Sequence, residues 1–400
     1  MKPLALFNIA CAAFLSFGSV ARADANTAIE ERLSRLEAEL GDVKSENRAL
    51  RQKLSEIEEH ASPHNVPKTY PEIRLNVLGS VEYSINNIKN SPNEVSLGDI
   101  DLVTTAQLNE RASVTSDYVI ASNHGGFAYE IERLFVSYRF SDAFNVDFGR
   151  FHTAMGWYNN FYHNGTYFQT SRDRPELFLF EDNQGILPVH STGLSLNGEI
   201  PSGSLGLNYS AEISNGREYT AFEDKALQIE DDNNDKALNL QLRMKPDALQ
   251  NWQFGVGAYH DTLTPVLDPV GAPGATSRID QLILTGFAIF KTPLLEWFTE
   301  IAFVGDRPVG ADRSWTCAGY SQVSHRFDKL RPYVRLQWHE TDTNDPVMRL
   351  IGRNVTSWDS QFGVRYDFTT MMALKFEYEH LRQKDAGSSD ELSTQLSFRF

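Results

Sequence analysis

The sequence has almost no cysteine: two in 400 residues, Cys11 and Cys317. Cys11 falls in a leader, so the exported chain keeps one thiol and has no intrachain disulfide. That excludes the disulfide-stapled secreted class. Cys317 reads as a passive strand residue, since a free cysteine is usually buried and inert. After residue 23 no run of eighteen apolar residues occurs, which excludes a spanning helix. Basic charge is also short, with 37 Lys and Arg against 53 Asp and Glu. Such a chain does not attract nucleic acid through its overall field. The motifs of common chemistry are missing too: there is no G-x-S-x-G, H-E-x-x-H, C-x-x-C or glycine-rich phosphate loop. No enzyme activity, cofactor or metal is expected.

What is present begins with a leader. Lys2 precedes an apolar stretch from Leu4 to Val20, and Ala21-Arg22-Ala23 has the small-x-small form of a cleavage site. Residues 1–23 therefore read as a secretory signal peptide. Its loss moves the net charge from −16 to −18, because Lys2 and Arg22 leave with it.

Residues 24–60 then carry a heptad pattern. Leu33, Leu40, Asn47 and Leu54 occupy a positions; Leu36, Val43, Leu50 and Ile57 occupy d positions. The flanking pairs Arg32–Glu37, Glu39–Lys44, Glu46–Arg51 and Lys53–Glu58 are all opposite in sign, as a parallel homo-oligomeric coiled coil requires. Three chains are favoured, although Asn47 at an a position also suits a dimer. Pro63, Pro67 and Pro71 end the helix and make 61–72 a semi-stiff linker.

From Ile73 the apolar period changes from seven to two. Sixteen segments alternate in this way, from 73–85 to 390–400 and with 98–108 and 203–214 among them, most of them long enough to cross a bilayer when tilted. The links alternate as well. They are short after even segments, such as "SDA", "PSG" and "KTP", and mostly long after odd ones. Short turns on one side and long loops on the other fit a membrane barrel, whereas a soluble sandwich has no reason for them. The expected fold is thus an all-β transmembrane antiparallel barrel of about sixteen strands over 73–400, preceded by the α-helical coiled coil, with fourteen or eighteen strands still open. The last segment, "ELSTQLSFRF", places Leu392, Leu396, Phe398 and Phe400 toward lipid and Gln395 and Arg399 toward the lumen.

With that terminal phenylalanine, the sequence resembles the Gram-negative outer-membrane porins. It is most similar to trimeric porins with an N-terminal periplasmic coiled coil, including the phosphate- and dicarboxylate-selective types. The resemblance implies an outer-membrane location, the coiled coil in the periplasm, a homotrimer, and Phe400 as a signal for barrel insertion. It also implies that the loop after the fifth strand folds into the lumen. Here that link, about 152–188, is the longest in the chain and rich in aromatics. Trp157, Tyr158, Phe161, Tyr162, Tyr167 and Phe168 are expected to pack it against the wall. Arg172, Asp173, Arg174, Glu176, Glu181 and Asp182 are expected to line a constriction. Strand phase points Arg74, Arg133, Arg139, Arg335, Arg365, Lys375 and Arg399 inward, with Glu82, Asp147, Asp359, Asp367, Glu377 and Glu379. A basic wall facing an acidic loop would set up a transverse field. Salt bridges that merely hold the loop are the alternative role for Arg172, Asp173 and Arg174.

Three weaker readings remain. His152, His163 and His190 border the loop, but without ligand spacing they read as hydrogen-bonded residues rather than a metal site. "EDDNND", Glu230 to Asp235, lacks the glycine and glutamate of a calcium loop and reads as an acidic external loop, bridged by divalent ions near lipopolysaccharide. The function expected is passive diffusion of small hydrophilic, charged solutes. The competing one is a structural tether, with the coiled coil reaching the peptidoglycan. An outer-membrane lipase and a trimeric adhesin are further alternatives; the first lacks a Ser/His signature, and the second contributes only a few strands per chain. Outer-membrane lipid and lipopolysaccharide are the expected surroundings.

Overall fold

The computed structural model describes residues 69–88, 92–123, 126–162, 167–217, 233–264 and 278–400. The leader with Cys11, the coiled-coil positions Leu33, Leu36, Leu40, Val43, Asn47, Leu50, Leu54 and Ile57, and most of the linker lie outside them, as do His163 and Glu230–Asp232.

Sixteen strands form one closed antiparallel barrel, each paired with its sequence neighbours and the last with the first. They are β1 (Glu72–Asn86), β2 (Glu94–Gln107), β3 (Ala112–Asn123), β4 (Gly126–Ser141), β5 (Phe144–His152), β6 (His190–Ile200), β7 (Leu207–Asn215) and β8 (Lys236–Met244). The second half is β9 (Trp252–Leu263), β10 (Ile279–Lys291), β11 (Leu295–Pro308), β12 (Ser314–His325), β13 (Leu330–Glu340), β14 (Ser357–Asp367), β15 (Met372–Gln383) and β16 (Gly387–Arg399). Among the described residues two short helices lie in the long links, α1 (Tyr158–Phe161) and α2 (Pro346–Leu350). Closure leaves no strand edge, which hydrocarbon would not tolerate.

The period-two pattern sets the two faces. Along β16, Leu392 and, just past the strand, Phe400 are exposed outward, while Ser393, Gln395 and Ser397 are buried inward. Leu75, Val95, Phe148, Leu240, Val256, Leu336 and Phe376 extend this apolar band around the barrel. At the short-turn rim the outward residues are aromatic. Tyr138, Phe140 and Phe144 adjoin, Trp252 meets Phe254, Phe290 and Trp297, and Phe398 meets Phe400. Such a girdle belongs at a membrane interface, where an amphipathic ring meets both lipid and water. Cys317 lies on β12 opposite Glu340 and is free.

Several boundaries differ from expectation by three residues or more, among them these three. β2 begins at Glu94 rather than 98, because Val95 and Leu97 continue the outward row. β16 begins at Gly387 rather than 390, because Gly387, Ser388 and Ser389 already pair with Gln383, Arg382 and Leu381 across a tight turn. β7 begins at Leu207 rather than 203, because Gly203–Leu205 forms a 3-10 turn with Gly203 and Gly206 at φ near +57° and +56°. Only glycine takes that backbone freely.

Candidate functional site

The link between β5 and β6 turns into the lumen. Its base is closed by Thr153, whose amide donates to the Val189 carbonyl at 3.0 Å and whose hydroxyl lies 2.8 Å from that of Ser191. Asn159 spans the same neck, donating to the carbonyls of Thr153 and Val189 at 2.9 and 2.8 Å. Wall strands supply acceptors for the loop's free amides. Glu300 on β11 accepts from the amides of Trp157 and Tyr158 at 2.5 and 2.9 Å, and from the Tyr320 hydroxyl at 2.7 Å. Gly156, at φ +67°, lies directly under this carboxylate; a Cβ there would strike both Glu300 and the ring of Phe178.

Beyond the neck the loop buries its apolar side inside the barrel. Met155, Trp157, Tyr158, Leu177, Phe178, Ile186 and Leu187 pack on the inward residues Tyr259, Ile283, Phe287, Phe298, Ala302, Val304 and Tyr320, with Met348 of α2 above. Trp157 lies tilted against Phe298 at 4.9 Å between ring centres, and Tyr158 stacks on Phe178 at 5.6 Å. Trp157, Tyr158 and Tyr167 are buried as the aromatic composition led us to expect, whereas Phe161 and Phe168 stay exposed. A lumen is normally wet, so an apolar wall over β9–β12 is explained by this loop covering it.

Along β13–β16 the loop is held by cations. Arg335 donates to the Asp173 carbonyl at 3.0 Å and to the Ser171 hydroxyl; Lys375 donates to the Ser171 carbonyl at 2.9 Å. Arg365 donates to the carbonyls of Tyr167 and Gln169, the latter at 2.7 Å. Arg399 lies over the rings of Tyr167 and Phe168, at 5.2 and 5.1 Å. These wall cations do point inward, but Arg335, Arg365 and Lys375 are buried beneath the loop and bind its backbone. Arg133 is ion-paired with Asp117 at 2.9 Å. Arg74 and Arg139 stand exposed at the short-turn rim, paired with Glu72 and Asp142. Of the inward acids, Glu377 accepts from the Tyr333 hydroxyl and the Arg172 amide, Glu379 and Asp359 share the Gln361 amide, Asp367 pairs with Arg326 and Arg365, and Asp147 accepts from Ser137 and Asn197. One oxygen from each of Asp173, Glu377 and Glu379 falls within 4.8 Å of the other two.

The expected constriction residues divide into two groups. Arg172, Asp173 and Arg174 face an open cavity of about 410 Å³ beside Tyr158, Phe180 and Asn183. Its other side is the wall of β1–β4, with Glu82, Asp99, Asp101 and Glu132. Arg172 forms ion pairs with Asp173 and Glu391. Burial works against its charge, but those two carboxylates more than offset this and raise its pKa above the ordinary arginine value. Arg174 lies flat on Phe180, its guanidinium carbon 3.5 Å from the ring centre. Glu176 turns away and pairs with Arg353 above β13.

Glu181 is buried at the neck. It accepts from the amides of Val189 and His190 at 2.6 and 2.8 Å and lies 3.1 Å from the His190 ring, whose other nitrogen is 2.5 Å from Glu132. Burial alone would raise the Glu181 pKa, yet His190, through its charge, its ring and its amide, brings it down to about 2. The side chain of Asp182 lies outside the described residues. Two of the three histidines do meet, His152 and His190 at 5.6 Å between rings. Asp99, Asp101 and Glu132 were missed by sequence reasoning. A bulge opposite Asp117 turns the consecutive residues Glu132 and Arg133 to the same side, which strict alternation cannot anticipate.

The field across the cavity is therefore the reverse of a basic wall facing an acidic loop: the arginines are on the loop and the acids on the wall.

No family model matches this sequence, and no curated protein does. Solved structures do match. The anion-selective porin from Comamonas acidovorans superposes with a TM-score of 0.58 at 12% identity, over 82% of this chain and 100% of that one. The outer membrane channel DcaP of Acinetobacter baumannii gives 0.55 at 13% identity, over 83% and 98%. The trimer form of OmpT, an outer membrane protein of Vibrio cholerae, gives 0.54 at 9% identity, over 83% and 100%. This is the porin fold. Within it, the inward loop leaves the β1–β4 side open and fills the side of β8–β16.

Proposed function

We propose that the chain is an outer-membrane porin of a Gram-negative bacterium, a water-filled channel for passive diffusion of small hydrophilic solutes, with a preference for cations and for dipolar solutes. The supporting observation is the passage between loop and wall. Five acids border it, Glu82, Asp99, Asp101, Glu132 and Asp173, against two arginines, Arg172 and Arg174. Rings of charge at a narrowing set the local potential, and here the excess is negative. A dipolar solute would pass with its cationic end toward β1–β4 and its anionic end toward the loop arginines. A homotrimer is proposed with it, on the strength of the heptad pattern and of the trimer form recorded for the Vibrio protein. The tether reading draws only on residues outside the described part and gains nothing from the barrel.

Planar-bilayer recording under a tenfold KCl gradient tests this. Stepwise insertions in threes, with a reversal potential of the sign for potassium, are expected. A folded barrel with no conductance would remove the channel reading; an anion-signed potential would remove the selectivity.

A further inference from the structure

We infer that Asp173, Glu377 and Glu379 form a calcium site that straps the inward loop to the barrel wall. One oxygen from each of the three lies within 4.8 Å of the other two. That limit is about twice the calcium–oxygen distance of roughly 2.4 Å, so one ion can touch all three with little movement. Glu377 and Glu379 share the inward phase of β15, and Asp173 comes from the loop. The inference goes beyond the channel reading and does not depend on it, because ion binding is measured directly.

Like charge crowds the three acids. In the ladder Glu379 is directly opposite Glu391 of β16, a pairing that repels. Asp359 on β14 shares the Gln361 amide with Glu379. Three cations stand among these five carboxylates. Arg172 pairs with Asp173 and Glu391, and its Nε is 4.0 Å from Glu377. Lys375 donates to the Ser171 carbonyl and to Gln395, and Arg335 to the Asp173 carbonyl, Gln322 and Gln361. Next around the wall, Arg365 with Asp367 and Arg353 with Glu176 form pairs of their own. The excess at the cluster is therefore negative.

Two buried oxygens carry the inference past a cluster of acids. Glu377 is 2% exposed and Asp359 3%, yet among the described residues Oε1 of Glu377 and Oδ1 of Asp359 meet no hydrogen-bond donor. A charged acceptor buried in this way is costly unless a cation reaches it. The other oxygen of Glu377 is fixed. Tyr333 lies across Gly363, where a Cβ would strike its ring, and donates its hydroxyl to Oε2, which also accepts from the Arg172 amide at 3.2 Å. Oε1 is thereby left for an ion. On Asp173 the Arg172 guanidinium takes only Oδ2, and the side chain is 39% exposed, so lumen water can complete the coordination. Every donor is a carboxylate oxygen, a set that suits a hard cation. Calcium tolerates such an irregular shell of oxygens, whereas magnesium demands a tighter octahedron.

Isothermal titration of the full protein, folded in detergent without lipopolysaccharide, tests the site with calcium alone as the probe. Wild type is expected to bind with a midpoint of about 10⁻⁴–10⁻³ M, the range of extracellular calcium modules. Asp173→Asn and Glu379→Gln should each weaken that binding about tenfold or more, since ligand charge sets the affinity. Asp231→Asn with Asp232→Asn, in the acidic external link, should leave it unchanged. Migration of each variant as a folded, heat-modifiable barrel guards against misfolding. Asp173 borders the passage, so millimolar calcium should also move the reversal potential of wild type toward zero, and that of Glu379→Gln much less. No binding by wild type, or equal binding by wild type and the Asp173 and Glu379 variants, would overturn the proposal. So would binding lost only in the variant of Asp231 and Asp232. The channel reading is judged by conductance in KCl without calcium, so the two can fail independently.

Discussion

Val77 and Phe400 exchange two backbone hydrogen bonds, Val77 donating at 2.8 Å and Phe400 at 3.0 Å. The ladder continues inward with Leu78 opposite Arg399 and Gly79 opposite Phe398. These pairs join the two ends of the sheet. Deleting Phe398–Phe400 leaves their partners on β1 open to hydrocarbon, at several kcal/mol for each unsatisfied group. The truncated protein is expected to lose most of its heat-modifiable form when folded into vesicles. Phe400→Ala keeps the backbone pairs and should fold in vesicles as wild type does. A defect of Phe400→Ala confined to cells would support its proposed role as an insertion signal.

The buried guanidinium of Arg335 ties the loop to the wall. It holds the Asp173 carbonyl and the Ser171 hydroxyl while donating to Gln322 and Gln361 at 2.8 and 3.1 Å. Arg335→Ala leaves four buried acceptors short of a donor, each worth about 1–3 kcal/mol. The loop should then move off β13–β15. Single-channel conductance is expected to rise, with added open-state noise. Unchanged conductance and noise would show that Lys375 and Arg365 hold the loop without it.

Selectivity should follow the charges that border the cavity. Asp99→Asn with Asp101→Asn removes two acids from the wall and is expected to move the reversal potential toward zero in a KCl gradient. Arg172→Ala and Arg174→Ala should move it the other way, toward stronger cation preference. If all four changes left it in place, the selectivity would have to arise elsewhere in the lumen. Arg172→Ala should also cost some loop order, because its partners Asp173 and Glu391 would be left facing each other.

Most of the barrel could be read from the alternation of side chains, because a wall between lipid and water imposes period two on every strand. Leu392 and Phe400 outward, Gln395 and Arg399 inward, follow from that alone. The site was harder. On β10 and β11 the runs "LILTGFAIF" and "WFTEIAFV" are apolar on both phases. That is the mark of strands covered on two faces, a signal of where the loop packs that was not read from the sequence above. Charge roles were less legible, because phase gives direction but not cover. Arg335, Arg365 and Lys375 point inward and yet meet loop carbonyls rather than solute. Glu176 and Glu181 are on the loop and yet pair with Arg353 and His190, away from the passage. The coiled-coil register, with Asn47 at an a position, lies beyond the described residues and stands as an expectation.

Acid should loosen the neck of the loop through Glu181. Burial disfavours its charge, but His190, through its charge, its ring and its backbone amide, outweighs this and lowers the pKa from 4.5 to about 2. A carboxylate with a depressed native pKa stabilises the fold fully above its unfolded value. That stabilisation is lost as the pH falls from about 4.5 through about 2. The difference corresponds to roughly 3 kcal/mol at most. Glu132, on the other side of His190, lines the passage, so the change at the neck should be felt in the current. Between pH 5 and pH 2.5, open-state noise is expected to rise in wild type. Glu181→Gln cannot titrate, and its noise should already be high at pH 5 and change less on acidification. Identical profiles for the two proteins would place the acid response in other carboxylates, with Asp101 and Glu132 on the wall the next to replace.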